Sequence, residues 1–368
     1  MERPIFQPVG TPVRQLDTPA LVVDLALVEH NIATVHAFFQ HQTAKLRPHV
    51  TAHRCPALAH KQLAAEGTVG GISVTTVGEA EVFAEYGFHD IFVASETVTP
   101  PTIRRLCALA RRATLTVAVD QAANVRDLSA AAGAQGVTLH VVVDVHTRWN
   151  GCGVAPGQAA LELARAVHAA PHLDFAGLTT YEGAILASDP ATLAAETRHC
   201  VQQVLDTRAL IERAGVPVRV VSVGNTSNYE IAGAMPGVTD VVAGAYVLLD
   251  ARYAPHRPYL TPAARVLTTV TSRPQPDTAI TDAGQKAVSV DRGLPTVNVP
   301  DATVSSLSAE HCRLQLAGAA QAAVHLGDTL WLTPYDISTC TNVYDYLHAI
   351  RDDHLEAVWR VAARGHYR

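Results

Sequence analysis

Residues 46–55 read Leu-Arg-Pro-His-Val-Thr-Ala-His-Arg-Cys, and a helical pattern begins directly afterwards at Pro56. An apolar residue that leads into a polar segment before a helix indicates a short strand ending in a loop. In a barrel of alternating strands and helices, the loops after the strands face one shared pocket, and catalytic groups lie there. We therefore expect His49, Thr51 and His53 at the mouth of such a pocket.

The alternation of strand and helix patterns continues outward from this stretch. A strand at 20–24 and a helix at 25–39 precede it, and helices such as 56–66, 78–86, 101–112 and 191–214 follow it. The barrel strands are expected at 46–50, 71–75, 90–95, 114–120, 137–145, 174–180, 217–223 and 238–243. Eight strands with mostly helical crossovers predict an α/β fold, a closed parallel (β/α)8 barrel of the TIM type. The alternative is an open doubly wound sheet, but no Gly-x-Gly-x-x-Gly turn follows the first strands.

The pattern changes after Asp250. Three prolines exclude a helix, and short strands joined by Gly, Pro and Asp turns follow, with a last helix at about 355–363. These strands are expected at 264–271, 278–280, 287–290, 311–316 and 329–332. The sequence thus predicts a barrel over 18–253 and a mainly β domain from 1–17 and 254–368.

Composition restricts the partners and the compartment. The chain has 368 residues, 48% of them apolar, and a net charge of −6, so neither nucleic acid nor an anionic membrane is an expected partner. Its six cysteines lack CxxC spacing, which favours reduced thiols. No signal peptide or membrane-spanning run is visible, so we expect a soluble cytoplasmic protein with a small-molecule substrate.

Several short motifs occur along the chain in the order in which one protein family has them. They are Asp17-Thr18-Pro19-Ala20, Arg47-Pro48-His49, Gly78-Glu79-Ala80-Glu81, Tyr181-Glu182-Gly183, Gly244-Ala245-Tyr246 and Asp282-Ala283-Gly284. This set resembles the D-threonine aldolase and D-serine dehydratase family of alanine-racemase-like, fold-type III pyridoxal phosphate (PLP) enzymes. The resemblance implies an N-terminal barrel that holds PLP, a C-terminal β domain, and a homodimer whose site the partner subunit completes.

The resemblance also implies an altered site. In the family the first stretch reads Arg-Pro-His-x-Lys-Thr-His-Lys, and its first lysine forms the Schiff base with PLP. Thr51 occupies that position here, and a hydroxyl cannot form an aldimine. PLP is therefore expected, if at all, without its lysine.

Other cofactor contacts are carried over from the family position by position. The phosphate loop Gly-Gly-Gly-Thr-Gly-Thr appears here as Val-Gly-Asn-Thr-Ser-Asn at 223–228. Side chains at 225, 227 and 228 hinder the close approach that backbone amides need to bind a phosphate, so phosphate binding is weakened. The implied cofactor contacts are Arg47, Tyr181, Gly224, Asn225, Thr226, Gly244 and Tyr246.

The family's metal motif, Pro-x-His-x-Cys or Pro-x-His-x-Asp, has also changed. It reads Pro-Tyr-Asp-Ile-Ser at 334–338, so Asp336 and Ser338 stand at the ligand positions and make a divalent metal uncertain. In the segment 144–154, Gly151 stands where an arginine near the cofactor ring is expected, and Arg148 is a candidate substitute.

Each of these side chains has an ordinary structural interpretation beside the functional one. Thr51 can simply end a buried strand, and a histidine such as His49 or His53 is more often structural than catalytic. Tyr181 is as readily a packing residue as a pocket residue. The three site-proximal cysteines, Cys55, Cys152 and Cys340, are expected to be inert thiols unless their pKa is lowered.

Three functions remain open. The first is a lyase for a small hydroxy-amino-acid-like substrate that works without the aldimine, with His49, Thr51, His53, Tyr181 and Asp336 supplying proton transfer or metal binding. The second is an aldolase or dehydratase that holds PLP non-covalently or through another lysine. The third is a non-catalytic binding protein.

Overall fold

The barrel predicted from the sequence is present in a computed structural model, which describes residues 7–148, 151–187 and 189–368. A first strand precedes it, β1 (Ala20–Asp24). Eight strands then form one parallel sheet within these residues. They are β2 (Lys45–Pro48), β3 (Ile72–Val74), β4 (Asp90–Val93), β5 (Thr114–Val119), β6 (Leu139–Asp144), β7 (Leu173–Thr179), β8 (Val220–Val223) and β9 (Asp240–Ala243).

Helices connect these strands. They are α1 (Leu25–Gln40), α2 (Pro56–Ala64), α3 (Val77–Glu85), α4 (Pro100–Leu109), α5 (Ala122–Gln135), α6 (Gln158–Ala169), α7 (Pro190–Arg213) and the short α8 (Tyr229–Gly233). Asp189 caps α7, because its carboxylate accepts hydrogen bonds from the first backbone N–H groups of the helix. Pro190 follows at the first helical position, where its missing N–H costs nothing.

The barrel sheet is closed rather than open. The strand order runs β2-β9-β8-β7-β6-β5-β4-β3. Isolated parallel bridges from Leu46 to Thr68 and from His49 to Ser73 join the two ends. Phe92, Ala118, Val142 and Ala176 form a buried cluster from four neighbouring strands, so the inside of the barrel is a packed core.

The second sheet contains strands from both ends of the chain. Its nine strands include β1, which pairs antiparallel with β10 and parallel with β16. Its other members are β10 (Ala264–Gln275), β11 (Thr278–Thr281), β12 (Thr296–Val297), β13 (Ala302–Leu307), β14 (Cys312–Leu316), β15 (Thr329–Thr333), β16 (Tyr346–Arg351) and β17 (His354–Arg360). Short helices α9 (Ala320–Ala323) and α10 (Ile337–Thr341) lie between these strands.

Two sequence predictions in this region are wrong. Residues 355–363 were expected to be helical, but β17 covers most of them and pairs antiparallel with β16. A two-residue turn joins the two strands, and Asp352 and Asp353 both have positive φ, which matches the twist of a tight hairpin. Residues 287–290 do not form the expected strand, because the N–H groups of Ala287 and Val288 turn back to the carbonyl of Gly284.

Two compact units divide the chain. One contains residues 1–33, 52–57 and 245–364, and the other, the barrel unit, contains 34–51, 58–244 and 365–368. Residues 1–6 lie outside the described part. Strand β1, which a domain boundary at 18 assigns to the barrel, pairs with the C-terminal strands; the boundaries at 18 and 253 stay predictions. Among the described residues, no helix is long and apolar enough to cross a membrane.

Candidate functional site

Arg47 projects into the barrel near the first residues of two other strands. Its guanidinium pairs with Asp240 at 3.1 Å and with Asp90 at 3.0 Å, and only 12% of its side chain is exposed. These carboxylates begin β9 and β4, so the cluster lies toward the end of the barrel opposite the strand-end loops. Gly71 leaves room for it, since a Cβ there would approach Arg47 Nη1 to 2.7 Å. In this arrangement Arg47 joins β2 to β4 and β9 by ion pairs and so stabilises the barrel.

Thr51 lies at the other end of β2, inside a hydrogen-bond network. Its hydroxyl donates to Glu79 Oε2 at 2.6 Å. The same hydroxyl accepts from the backbone N–H of Thr75 at 3.2 Å and from the Thr75 hydroxyl at 3.1 Å. The side chain predicted to mark the catalytic position is therefore tied to a buried carboxylate.

Glu79 is a site residue that the sequence analysis missed. The residues Thr76-Val77-Gly78-Glu79 have the spacing of a capping box, and the Thr76 hydroxyl accepts from the Glu79 N–H at the start of α3. The Glu79 carboxylate bonds to the N–H of Thr75 at 2.8 Å and to Thr51. Thr51 and Glu79 are 28 residues apart, so spacing alone gave no signal for their contact.

His49 extends the same network. Its Nδ1 lies 3.1 Å from Ser73 Oγ, and its Nε2 lies 3.5 Å from Thr75 Oγ1. Gly244 packs against it, since a Cβ there would lie 2.0 Å from the His49 carbonyl oxygen. Gly244 thus permits a close approach of two backbone segments. The order His49, Thr75, Thr51, Glu79 makes a path along which a proton can move.

Three carboxylates and a thiol meet after the next strands of the barrel. Ligand atoms of Glu96, Asp120 and Cys152 all lie within 4.8 Å of one another, a spacing that suits a metal ion. Burial, followed by the nearby Glu96 and Asp120, raises the pKa of Asp144 to about 7. Glu96, Asp120 and Asp144 follow or end β4, β5 and β6, so strand-end position could have revealed them.

The loop after β8 is buried and closed by its own side chains. Asn225, Thr226, Ser227 and Asn228 are each at most 6% exposed. Asn228 Oδ1 accepts from the N–H of Asn225 at 2.9 Å, and Asn225 Oδ1 accepts from the N–H of Ser227 at 2.8 Å. Gly224 has φ +84°, which only glycine adopts readily.

Tyr181 directly precedes Glu182 in the segment that follows β7, and Arg148 contacts the same segment. Tyr181, after β7, is 51% exposed. Arg148 donates to the Glu182 carbonyl at 3.3 Å and pairs with Glu196 at 3.2 Å. Its guanidinium thus holds the segment after β7. Trp149 and Asn150, from the same predicted motif, lie outside the described residues.

The remaining predicted site residues belong to the other compact unit. Asp336 caps α10, with Oδ1 accepting from the N–H and hydroxyl of Ser338 at 3.0 and 2.6 Å. Its Oδ2 faces the guanidinium groups of Arg292 at 3.2 Å and Arg252 at 3.8 Å. His53 and Tyr246 are fully buried, and His53 Nδ1 accepts from the N–H of Cys55 at 3.1 Å.

Comparison with known proteins agrees with this architecture. Residues 23–248 match the model for the alanine racemase N-terminal domain, and residues 263–350 match a putative serine dehydratase domain. A D-threonine aldolase from Arthrobacter sp is 33% identical over 369 residues, which are 98% of this chain and 96% of that protein. The chain belongs to the D-threonine aldolase and D-serine dehydratase family.

Two further comparisons place the whole chain within this family. A 3-hydroxy-D-aspartate aldolase from Paracoccus denitrificans (strain Pd 1222) is 32% identical over 370 residues, covering 97% of this chain and 94% of that protein. A crystal structure of D-threonine aldolase from Filomicrobium marinum matches with a TM-score of 0.93 and 31% identity, over 98% of this chain and 100% of that one. These relatives are aldolases, which are lyases, and they support a lyase-type enzyme with an alanine-racemase-like fold.

Membership of a PLP-dependent family makes PLP plausible, and a metal is the second group to test against the residues. Asp336 fits a divalent cation poorly, because one of its oxygens is committed to capping α10 and the other faces two arginines, whose charge repels a cation. The trio Glu96, Asp120 and Cys152 offers a better donor set, of two carboxylates and a thiol.

The cysteines do not have the environment of nucleophiles. Burial raises the pKa of Cys340 to about 12, and a hydrogen bond with Glu96, with burial next, raises the pKa of Cys152 to about 11. Cys55 is fully buried. Since the thiolate is the reactive form, Cys340 and Cys152 are inert near neutral pH.

Proposed function

We propose that this chain is a lyase that cleaves or dehydrates a small β-hydroxy-amino-acid-like substrate at the barrel mouth without a PLP–lysine aldimine. Support for the reaction class comes from the relatives, which are named for D-threonine and 3-hydroxy-D-aspartate. One structural observation supports the absence of a PLP–lysine aldimine. Thr51, at the position of the family's Schiff-base lysine, is bound to Glu79 at 2.6 Å.

The lysines of this chain support the same conclusion. The sequence has three, Lys45, Lys61 and Lys286. Lys45 Nζ, at the start of β2, donates to the carbonyls of Phe39 at 2.8 Å and Gln42 at 2.8 Å, where it closes the end of α1. Lys61 lies within α2. Lys286 pairs with Glu310 in the other unit. None of the three lies in a loop that follows a barrel strand, so these residues do not fit covalently held PLP.

Proton transfer is the chemistry that the network at residues 49–79 supplies. The Glu79 carboxylate can accept a proton through the Thr51 hydroxyl, and His49 lies at the other end of the path through Thr75. Asp144, with its pKa raised to about 7, can hold or release a proton near neutral pH. In an aldol cleavage the base takes the proton of the β-hydroxyl, the Cα–Cβ bond breaks, and its electron pair passes to Cα, which takes up a proton. In a dehydration the base takes the proton of Cα, and the β-hydroxyl is protonated as it leaves as water. These groups can supply either pair of proton transfers.

The experiment that tests this proposal is borohydride reduction of the purified protein with PLP, followed by peptide mass spectrometry, with elemental analysis of the same sample. We expect no PLP-modified lysine peptide, and turnover of at least one substrate from a panel of β-hydroxy amino acids. A reduced adduct on Lys45, Lys61 or Lys286 would show an ordinary aldimine enzyme. Absence of turnover across the panel would favour a non-catalytic binding protein.

Oligomeric state and location belong to the same proposal. By resemblance to the family we propose a cytoplasmic homodimer that binds neither nucleic acid nor membrane. Light scattering on the eluted protein tests the dimer directly, because the expected mass is twice 39.1 kDa.

A further inference from the structure

We propose that the loop 224–228 is closed to phosphate and that the barrel therefore holds no PLP, even without a covalent bond. This inference rests on the proposed function and deepens it, because it excludes the non-covalent form of the cofactor. The ligand class at the barrel mouth then narrows to small molecules whose binding does not depend on a phosphate in this loop.

Backbone amides of the loop already have acceptors. A phosphate loop works because consecutive N–H groups point at the ligand and lack other acceptors. Here the N–H groups of Asn225 and Ser227 donate to Asn228 Oδ1 and Asn225 Oδ1. The N–H of Asn228 donates to the Asn225 carbonyl at 3.3 Å. Side-chain oxygens thus take the places that phosphate oxygens would need.

Another segment of the chain covers the loop. Residues 182–185, which follow β7, make hydrogen bonds to four of the five residues of the loop. The N–H of Gly224 donates to Glu182 Oε2 at 3.4 Å, and Asn225 Nδ2 donates to the Gly183 carbonyl at 3.0 Å. Ser227 Oγ accepts from the Ile185 N–H at 3.2 Å, and Asn228 Nδ2 donates to Glu182 Oε1.

The side chain of Glu182 also disfavours a phosphate in the loop. Glu182 is fully buried, and burial raises its pKa while its bonds to Asn228 and Gly224 oppose the rise. A carboxylate already accepts from the loop, so a phosphate would meet an acidic group rather than vacant donors. Displacing Glu182 from the loop would leave a buried carboxyl group without these hydrogen bonds. This costs more free energy than moving a side chain on the surface.

Gly224 shows that the loop's backbone turn does not itself exclude phosphate. It keeps the left-handed conformation, and a Cβ there would lie 2.8 Å from Val241 Cγ1. The obstacle lies in the side chains at 225 and 228 and in Glu182. Substitution of these side chains should therefore open the loop.

The test is a titration of the full-length protein with PLP and, separately, with inorganic phosphate, followed by absorbance and by phosphorus NMR. Wild-type protein should show no saturable binding of either probe. The variant Asn225→Gly/Ser227→Gly/Asn228→Thr, combined with Glu182→Gln, should bind both at least about tenfold more tightly, because the loop amides can then donate to a charged acceptor.

A matched control is Asn124→Ala, which removes another buried asparagine of the barrel unit, one that donates to the Thr97 carbonyl at 2.7 Å. It should weaken folding without any gain in phosphate binding. A folded quadruple variant that gains nothing would overturn the assignment of these side chains as the obstacle.

Wild-type measurements keep the proposal testable if the variant does not fold. Amide hydrogen exchange at residues 224, 225, 227 and 228 should be slow and unchanged by phosphate. Saturable one-to-one binding of PLP to wild-type protein, or phosphate-dependent protection of these amides, would overturn the inference. If such binding leaves no reducible lysine adduct, the proposed function survives and only the closed loop is wrong.

Discussion

Two polar clusters inside the same barrel differ in how their charges are balanced. Toward the amino ends of the strands, Arg47 lies 3.0 and 3.1 Å from two carboxylates. After the carboxyl ends of β4–β6, Glu96, Asp120 and Asp144 lie together, and the charged neighbours with the largest effect on the pKa of Asp144 are both acidic. Both carboxylates of the first cluster are paired with a guanidinium, whereas Asp144 in the second has acidic neighbours, an arrangement that favours a bound proton or cation. We therefore assign the first to stability and the second to the candidate site.

The largest effect should come from breaking the balanced cluster. Arg47→Met leaves Asp240, whose side chain is 5% exposed, without its partner. We expect the free energy of unfolding to fall by about 3–5 kcal/mol, as for other buried ion pairs that lose one member. Urea denaturation measures it, with the exposed Arg126→Met as control. A loss below about 1 kcal/mol would contradict the structural role.

Removing a carboxyl group from the second, acidic cluster should instead increase the stability of the folded chain. A carboxyl group whose pKa in the folded chain is about 7, against 3.8 unfolded, binds more protons when folded, so stability falls as the pH rises from about 4 to about 7. Asp144→Asn should remove this penalty and stabilise the protein at pH 8 by on the order of 2–4 kcal/mol.

Thermal or urea unfolding at a series of pH values checks the Asp144 prediction. Asp250, in the other unit, also has a pKa raised to about 7, chiefly by burial, so the pH dependence should become shallower rather than vanish. An unchanged slope in Asp144→Asn would mean that the acidic cluster is already neutralised, for example by a bound cation, and elemental analysis would then identify it.

A smaller effect is expected at Thr51, which separates a structural role from a chemical one. Thr51→Val keeps the shape but removes the donor to Glu79, and should cost about 1–3 kcal/mol of stability. Under the proposed function, kcat/KM should also fall by at least about tenfold. Thr51→Ser keeps the hydroxyl and should preserve both quantities. Full activity in Thr51→Val would remove Thr51 from the proton path.

The smallest effect is expected at Asp336, a buried helix cap that is also paired with arginines. The Arg292 side chain is 50% exposed, so its pairing contributes little. Asp336→Ala should therefore cost about 1 kcal/mol, the value of a helix cap. Asp189→Ala, which removes the cap of α7, is the matched control. A much larger cost at Asp336 than at Asp189 would show that its burial and its pairing with Arg252, whose side chain is 19% exposed, add to the value of the cap.

Local patterns predicted most of the secondary structure because burial repeats with a fixed period in each element. Each of the eight expected barrel strands is present, and the observed bounds differ from the expected ones by up to three residues. The prediction of a helix at 355–363 was wrong because the two aspartates at 352 and 353, unlike glycine, gave no strong turn signal. The strand between them and Arg360 is defined only by its pairing with β16.

For the candidate site, too, the sequence shows some features and not others. The replacement at Thr51 and the side chains in the loop 224–228 are visible in the sequence. The contact of Thr51 with Glu79, the closure of the loop by residues 182–185, and the meeting of Glu96 with Asp120 are not visible, because they join residues that are 24 to 46 positions apart.

The sequence by itself determined the (β/α)8 architecture, the β-rich second part, the family and the identity of the changed residues, because periodic burial and short motifs are local properties. Only the tertiary structure decided which charges are balanced. Arg47 was expected near a cofactor and pairs with two carboxylates, while three carboxylates that were not predicted as site residues came together. Pairing and desolvation depend on which strand ends become neighbours when the barrel closes, and no local pattern encodes that.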